Sequence, residues 1–409
     1  MTLHNIPYAH PAWVEVDLLQ FKQNIMLIRD YVNQRKICIP IKANAYGHGL
    51  IPIATAAVEA GVDYLAVSCL QEAVLLREAN IRCAILVLGP VYPKQIKYFL
   101  FHDLEMTISS VGKAQSVVEG CQELDYQGHI KIHIEIETGM QRTGVRLETS
   151  HEIFDYVDTS PFFKVQGVYT HLATADHKEH AFAHEQIRAF TAFAKNLKKR
   201  YPEAIFHMAN SGGAYYYPES RLDMVRPGKL AYGYFQTSNP LTQPVFSLKA
   251  RVSFFKVVKK GQGISYGHHY YTTEDARIIT VPVGYGDGYF RSLSNKGKVL
   301  INGKFYPIVG IICMDQMMVN IGQDSVYVGD EVVLVGKQGD AEITLGELAE
   351  LCDTVPSEIL VNFNDRLPHL YRDGNKHYWE YNGLKKTTID GIENISSVQF
   401  ELASKLSSS

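Results

Sequence analysis

Apolar and polar positions change rhythm along this chain. Between residues 37 and 225, short β-rich apolar runs recur at 37–41, 64–67, 84–88, 105–108, 129–136, 165–169, 205–208 and 222–225. Between them lie stretches whose apolar residues return at helical spacing, as at 51–60, 70–78 and 185–197. A strand followed by a helix, repeated eight times over roughly 200 residues, predicts a (β/α)8 barrel of the TIM type. An open doubly wound sheet competes, but it usually has fewer strands and a Gly-rich first turn, and the first turn here carries Lys42. The loop 236–244, Gln-Thr-Ser-Asn-Pro-Leu-Thr-Gln-Pro, reads as a boundary. Beyond it, strands at 245–258, 276–283, 298–301, 305–312, 317–321 and 331–335 follow one another across Gly- and Asn-rich turns, with one amphipathic helix at 345–352. The expected fold class is therefore α/β plus β, a barrel and then a mostly antiparallel β domain. The barrel is assigned to 10–238, with a first strand at 11–16 free to pack with the C-terminal domain. The β domain is assigned to 244–384, and 385–409 reads as a polar, weakly ordered tail.

Composition narrows the classes. The 409 residues exceed one ordinary core, in line with two domains. A net charge of -3 gives no reason to expect nucleic acid or an anionic membrane as partner. No apolar run approaches a spanning helix, and the N-terminus lacks the pattern of a signal peptide. None of the six cysteines is spaced C-x-x-C, and several sit inside apolar strands, which suits free thiols in a reducing cytoplasm. No metal site is expected: His177, His180 and His184 stand at helical spacing without a thiolate or carboxylate cluster and read as a solvated face. Gly284-Tyr-Gly-Asp-Gly288 lacks the spacing of a dinucleotide loop and reads as a turn.

Candidate chemistry begins at residues 39–49, Ile-Pro-Ile-Lys-Ala-Asn-Ala-Tyr-Gly-His-Gly, where an apolar strand stops at Lys42. An ammonium half desolvated at a strand mouth has a depressed pKa, and the neutral amine can condense with a carbonyl cofactor. Other polar residues fall after later strands. Arg142 follows the fifth and His171 the sixth. Ser211 follows the seventh, in His207-Met-Ala-Asn-Ser-Gly, and Arg226 the eighth, in Val-Arg-Pro-Gly228. Each alone is an ordinary loop residue; with Tyr46, six on the C-terminal face of one barrel argue for a site.

These segments resemble the alanine racemase family. So do Ile264-Ser-Tyr-Gly267, Val283-Gly-Tyr-Gly-Asp-Gly288 and Cys313-Met-Asp-Gln316, in family order over roughly residues 10–370. The resemblance implies a pyridoxal 5'-phosphate enzyme that interconverts L- and D-alanine for peptidoglycan. It implies that Lys42 holds the cofactor and that Tyr46, Ser211 and Gly228 contact its phosphate. Arg226 would face the pyridine nitrogen, with His171 bonded to it and His207 behind. Arg142 would touch the phenolic oxygen and, with the Met314 N–H, hold the substrate carboxylate. Lys42 and Tyr266 would serve opposite faces of Cα, Tyr266 coming from the second subunit of a head-to-tail homodimer. Asp176, Tyr285 and Asp315 would line the entry. A racemase of broader specificity, acting on serine or larger amino acids, is the alternative within enzymes. A cofactor carrier built on the same barrel is the alternative outside them, and the second domain with Tyr266 argues against it.

The chain departs from the family pattern in places. Ile311 stands where an arginine is usual. Phe363 stands in a shortened segment where a tyrosine contacts the phosphate, and Lys229 supplies a charge where the family tends to be apolar. Glu135 falls where many members carry a carbamylated lysine. It shares a strand face with Glu137 and is expected to supply that negative charge to Arg142 through a charge-assisted hydrogen bond.

Overall fold

The computed structural model describes residues 10–381, 384–389 and 392–395. The chain divides into two compact units. One runs from Phe21 to Gln243; the other takes the described residues up to Gln20 and those from Pro244 onward. The first strand, β1 (Ala12–Asp17), belongs to the second unit.

The first unit holds β2 (Lys36–Pro40), β3 (Tyr64–Val67), β4 (Ala84–Val87), β5 (Glu105–Ile108) and β6 (Ile130–Glu137). It continues with a short β7 (Val145–Arg146), then β8 (Phe163–Tyr169), β9 (Ile205–His207) and β10 (Met224–Val225). All pairings are parallel. They run from β2 through β3, β4, β5 and β6 to β8, β9 and β10, and β10 pairs back onto β2, so eight strands close into a barrel while β7 hangs on β6. The strands match the expected runs to within two residues at each end. They are legible because a strand covered on both faces reads as a nearly unbroken apolar run. Cys38, Tyr64, Ala66, Leu86, Ile205 and Met224, contributed by five strands, form one buried cluster. Helices such as Leu50–Glu59, Leu70–Glu78, Val111–Glu123 and Ala181–Leu197 return the chain between parallel strands.

The second unit holds β11 (Phe246–Arg251), β12 (Phe254–Val258), β13 (Ala276–Val281), β14 (Lys298–Ile301), β15 (Lys304–Pro307) and β16 (Met317–Asn320). After these come β17 (Glu331–Gln338), β18 (Ala341–Ile343), β19 (His369–Asp373), β20 (Lys376–Tyr381), β21 (Leu384–Ile389) and β22 (Ile392–Ile395). The larger sheet has the order β15-β14-β17-β11-β1-β19-β20-β21-β22, and β12-β13-β16 make a separate three-stranded sheet. Its one parallel pair is β1 with β19; β1 lies antiparallel to β11.

Three expectations are corrected. The run 245–258 is two strands, because the chain changes sheets at Val252–Ser253: Val252 N–H bonds Asp330 and Ser253 N–H bonds Thr280. An apolar run carries no mark of such a switch. The strand expected at 305–312 ends at Pro307. The tail assigned from 385 begins as sheet, with β21 antiparallel to both β20 and β22. Its Thr387, Thr388, Ile389, Ile392 and Ile395 favour strand despite the polar average; residues 396–409 of that assignment lie outside the described residues. No helix among the described residues is long and apolar enough to cross a membrane.

Candidate active site

A cavity of about 510 Å³ opens at the C-terminal ends of the barrel strands. Every barrel strand sends a residue to its wall: Lys42 after β2, Ser68 after β3, Gly89 after β4 and Ser109 after β5. Arg142 follows β6, His171 follows β8, Ser211 follows β9, and Arg226 with Gly228 follows β10. Tyr46, Glu135, Asp176 and Lys229 complete it. A volume of this size suits a cofactor with a small substrate.

Lys42 stands on an unusual piece of backbone. Ala43, Asn44, Ala45 and Tyr46 all have φ of 53–54°, one left-handed turn built from residues with side chains. Such a conformation costs about 1–2 kcal/mol per residue, so its surroundings must hold it. Ala43 N–H donates to Glu72 Oε1 at 2.6 Å, Asn44 Oδ1 accepts from Leu50 N–H at 2.7 Å, and Gly49 N–H donates to the Asn44 carbonyl at 3.0 Å. The buried His48 ring lies 3.0 Å from the Ala45 carbonyl and 2.9 Å from that of Tyr46. Burial and the Arg142 guanidinium draw the Lys42 ammonium below its ordinary pKa, while Glu72 opposes them. The neutral amine is thereby brought toward working pH.

The turn packs the Tyr46 ring 5.0 Å from Tyr232, whose hydroxyl bonds the Pro40 carbonyl. A Cβ on Gly228 would come within 3.2 Å of the Tyr46 hydroxyl, so the missing side chain leaves the backbone open beside it. Burial pushes the Tyr46 hydroxyl up to about 12, which keeps it a donor. The buried Ser211 Oγ accepts from Leu230 N–H at 3.3 Å, and Lys229 Nζ lies 2.5 Å from Asp176 Oδ2. Two hydroxyls, an open glycine backbone and a lysine make a cradle that fits a phosphate.

Deeper in the barrel lies Arg226. It bonds His207 Nδ1 at 2.6 Å, the Thr170 carbonyl at 2.9 Å, His171 Nδ1 at 3.4 Å and the Met208 carbonyl at 3.4 Å. It also sits over the Tyr169 ring at 5.2 Å. Burial first, then Arg226, Arg142 and Lys42, push His171 down to about 3, so this imidazole stays neutral. Behind His207 the bonding continues to His133 and Glu105. Neither stands out in the sequence, where each is a polar residue inside a strand. His133 shares its strand face with Glu135, two residues away, a face that is buried once the strands close into a barrel.

Glu135 corrects an expectation. Its carboxyl is buried, but no hydrogen bond joins it to Arg142, and its Oε2 has no partner. A carboxylate on two methylenes stops short of where a four-methylene carbamate ends. Burial raises the Glu135 pKa, and Arg142 lowers it only through space.

In the second unit, Tyr266 follows Ser265, whose φ is +65° and whose hydroxyl bonds the Ile311 carbonyl at 2.6 Å. Tyr266 is 71% exposed, and Phe254, Phe255 and Val257 of β12 are exposed as well. Tyr285 and Met314 are brought together: Gly286 N–H bonds the Met314 carbonyl at 2.7 Å, and a Cβ on Gly284 would lie 2.2 Å from that oxygen. Asp315 pairs with Arg366 at 2.8 Å. Phe363 is buried against Phe246, ring centroids 5.6 Å apart.

Comparison with known proteins gives the family. The family model for the alanine racemase N-terminal domain matches residues 16–236, and the C-terminal domain model matches 245–371. The alanine racemase of Carboxydothermus hydrogenoformans is 39% identical over 368 residues, 88% of this chain and 99% of that one. That of Halothermothrix orenii is 38% identical over 373 residues, covering 89% and 98%. The solved alanine racemase of Clostridium difficile 630 superposes with a TM-score of 0.83 at 33% identity, over 91% of this chain and 98% of that one. The Bacillus anthracis enzyme, solved with bound L-Ala-P, gives 0.83 at 34%, over 91% and 97%. Over both of its units, this chain belongs to the alanine racemase family.

Proposed function

We propose that the chain interconverts L- and D-alanine with two bases, Lys42 on one face of Cα and Tyr266 of the partner subunit on the other. The observation that carries this is the lysine itself: a half-buried amine of lowered pKa, held on a left-handed turn at the mouth of a closed barrel. Pyridoxal phosphate, when bound, withdraws electrons from Cα and acidifies its C–H bond. Tyr46, Ser211, Gly228 and Lys229 hold the phosphate. Arg226 has only N–H groups to offer and does not readily release a proton, so a ring nitrogen facing it stays unprotonated. That moderates electron withdrawal and favours return of the proton to Cα. Arg142 would hold the substrate carboxylate. Inversion needs a second proton carrier opposite Lys42. Tyr266, exposed in the single chain near Phe254 of β12, suits that role in a head-to-tail homodimer. We place the reaction in the cytoplasm, where the free cysteines stay reduced.

The test is direct. Purified protein loaded with pyridoxal phosphate should convert either enantiomer of alanine to the racemate, followed by chiral chromatography, with serine and lysine as comparison substrates. Borohydride should fix the cofactor on Lys42. Tyr266→Phe should keep the cofactor while losing on the order of 10²–10⁴ in rate. Near-normal rate in that variant, or a label on another lysine, overturns the assignment.

A further inference from the structure

A row of buried polar groups crosses the barrel interior beneath the site. Arg226 Nη1 lies 2.6 Å from His207 Nδ1, His207 Nε2 lies 3.0 Å from His133 Nδ1, and His133 Nε2 lies 2.8 Å from Glu105 Oε2. Glu105 Oε1 is 3.5 Å from the Tyr64 hydroxyl, which accepts from Gln166 Nε2 at 3.1 Å. Both imidazoles are fully buried, and Glu105 and Arg226 nearly so.

The ends decide the middle. A guanidinium can only donate, so His207 Nδ1 must be a lone pair and its proton sits on Nε2. That proton is given to His133 Nδ1, whose own proton then sits on Nε2 and faces a carboxylate, which can only accept when ionised. One arrangement of protons satisfies all three bonds, with two neutral rings between a buried cation and a buried anion. An arginine this deep, without a counter-charge, is costly.

The backbone is shaped for this row. Between Ile132 and His133 the β6–β8 register shifts. Opposite stands Gly167, where a Cβ would come within 2.3 Å of His133 Nδ1 and 3.0 Å of the Ile205 carbonyl. The strand therefore gives up a side chain where the histidine ring lies.

We propose that Glu105 and His133 are positioning residues for Arg226. They form a one-way donor chain that fixes both histidine tautomers and aims the guanidinium at the cofactor. The inference rests on the racemase reading for its last clause only.

The holoenzyme, labelled with ¹⁵N in its histidine rings, tests the chain itself. His133 and His207 should each appear neutral with the proton on Nε2. A cationic ring, or a proton on Nδ1 in either, overturns the proposal whether or not the protein racemises alanine. Variants test the consequence. Glu105→Leu removes the acceptor and should lower kcat at least tenfold, change KM less than about twofold, and shift the cofactor's absorption maximum. Glu105→Gln retains a carbonyl acceptor and should recover most of that loss. Gly167→Ala, a separate route should Glu105→Leu not fold, should displace His133 and reproduce both the kcat loss and the spectral shift. Lowered thermal stability with unchanged kcat and spectrum in the variants that fold would make Glu105 merely structural and overturn the proposal.

Discussion

Glu135 shows how a side chain three atoms shorter than a carbamylated lysine alters a site. Burial lifts its folded-state pKa above the ordinary 4.5, and Arg142 offsets this only in part. An acid with a raised folded pKa binds more protons folded than unfolded, so stability falls as pH rises from the unfolded value through the folded one. Glu135→Gln removes that loss. The variant should therefore melt higher than wild type at pH 8, by about 2–4 °C if one kcal/mol is recovered in a domain of this size, and show no gain at pH 4. A lower melting temperature at pH 8 would mean that the hydrogen bond from Tyr169 and the attraction of Arg142 outweigh the cost of burying the carboxylate. A place on the cavity wall was readable at residues such as Lys42 and Arg226, because an isolated polar residue at the end of an apolar strand stands out. His133 and Glu105 were not, because a polar residue inside a strand looks like solvent-facing alternation until the strand is known to close into a barrel. Whether two groups touch depends on reach, as Glu135 and Arg142 make plain.

At the level of elements, the left-handed turn at 43–46 is held largely from outside itself. Asn44 links it forward by accepting from Leu50, the first residue of helix Leu50–Glu59. Asn44→Ala removes that acceptor and puts alanine in a conformation asparagine tolerates better, at a cost of about 1–2 kcal/mol. Urea denaturation should show the loss, and cofactor affinity should weaken with it because Lys42 and Tyr46 flank the turn. Unchanged affinity would show that the lysine is positioned by its strand alone. No sequence pattern signals this turn, since alanine and tyrosine seldom adopt it. Barrel strands were legible because burial on both faces writes a plain apolar run. Pairing partners are written less plainly: the switch of sheets at Val252–Ser253 and the strands after Pro368 depend on neighbours distant in sequence.

For the whole molecule, the division of labour between units gives a complementation test. If Lys42 of one chain works with Tyr266 of the partner subunit, then Lys42→Ala and Tyr266→Phe homodimers are each inactive. Their hybrid holds one intact site and one doubly damaged one. Random reassortment of an equal mixture makes about half the dimers hybrids, so about a quarter of wild-type activity should return. No recovery after proven subunit exchange would place both residues in one chain's site. The position of β1 bears on how the molecule is made. Ala12, Trp13, Val14 and Val16 are buried between β11 and β19, yet they precede those strands by more than two hundred residues of sequence. On the ribosome this apolar strand emerges ahead of the barrel and waits through its synthesis for its partners. It is a sticky segment held in reserve, a point of vulnerability to early aggregation and a natural place for a chaperone to bind the nascent chain.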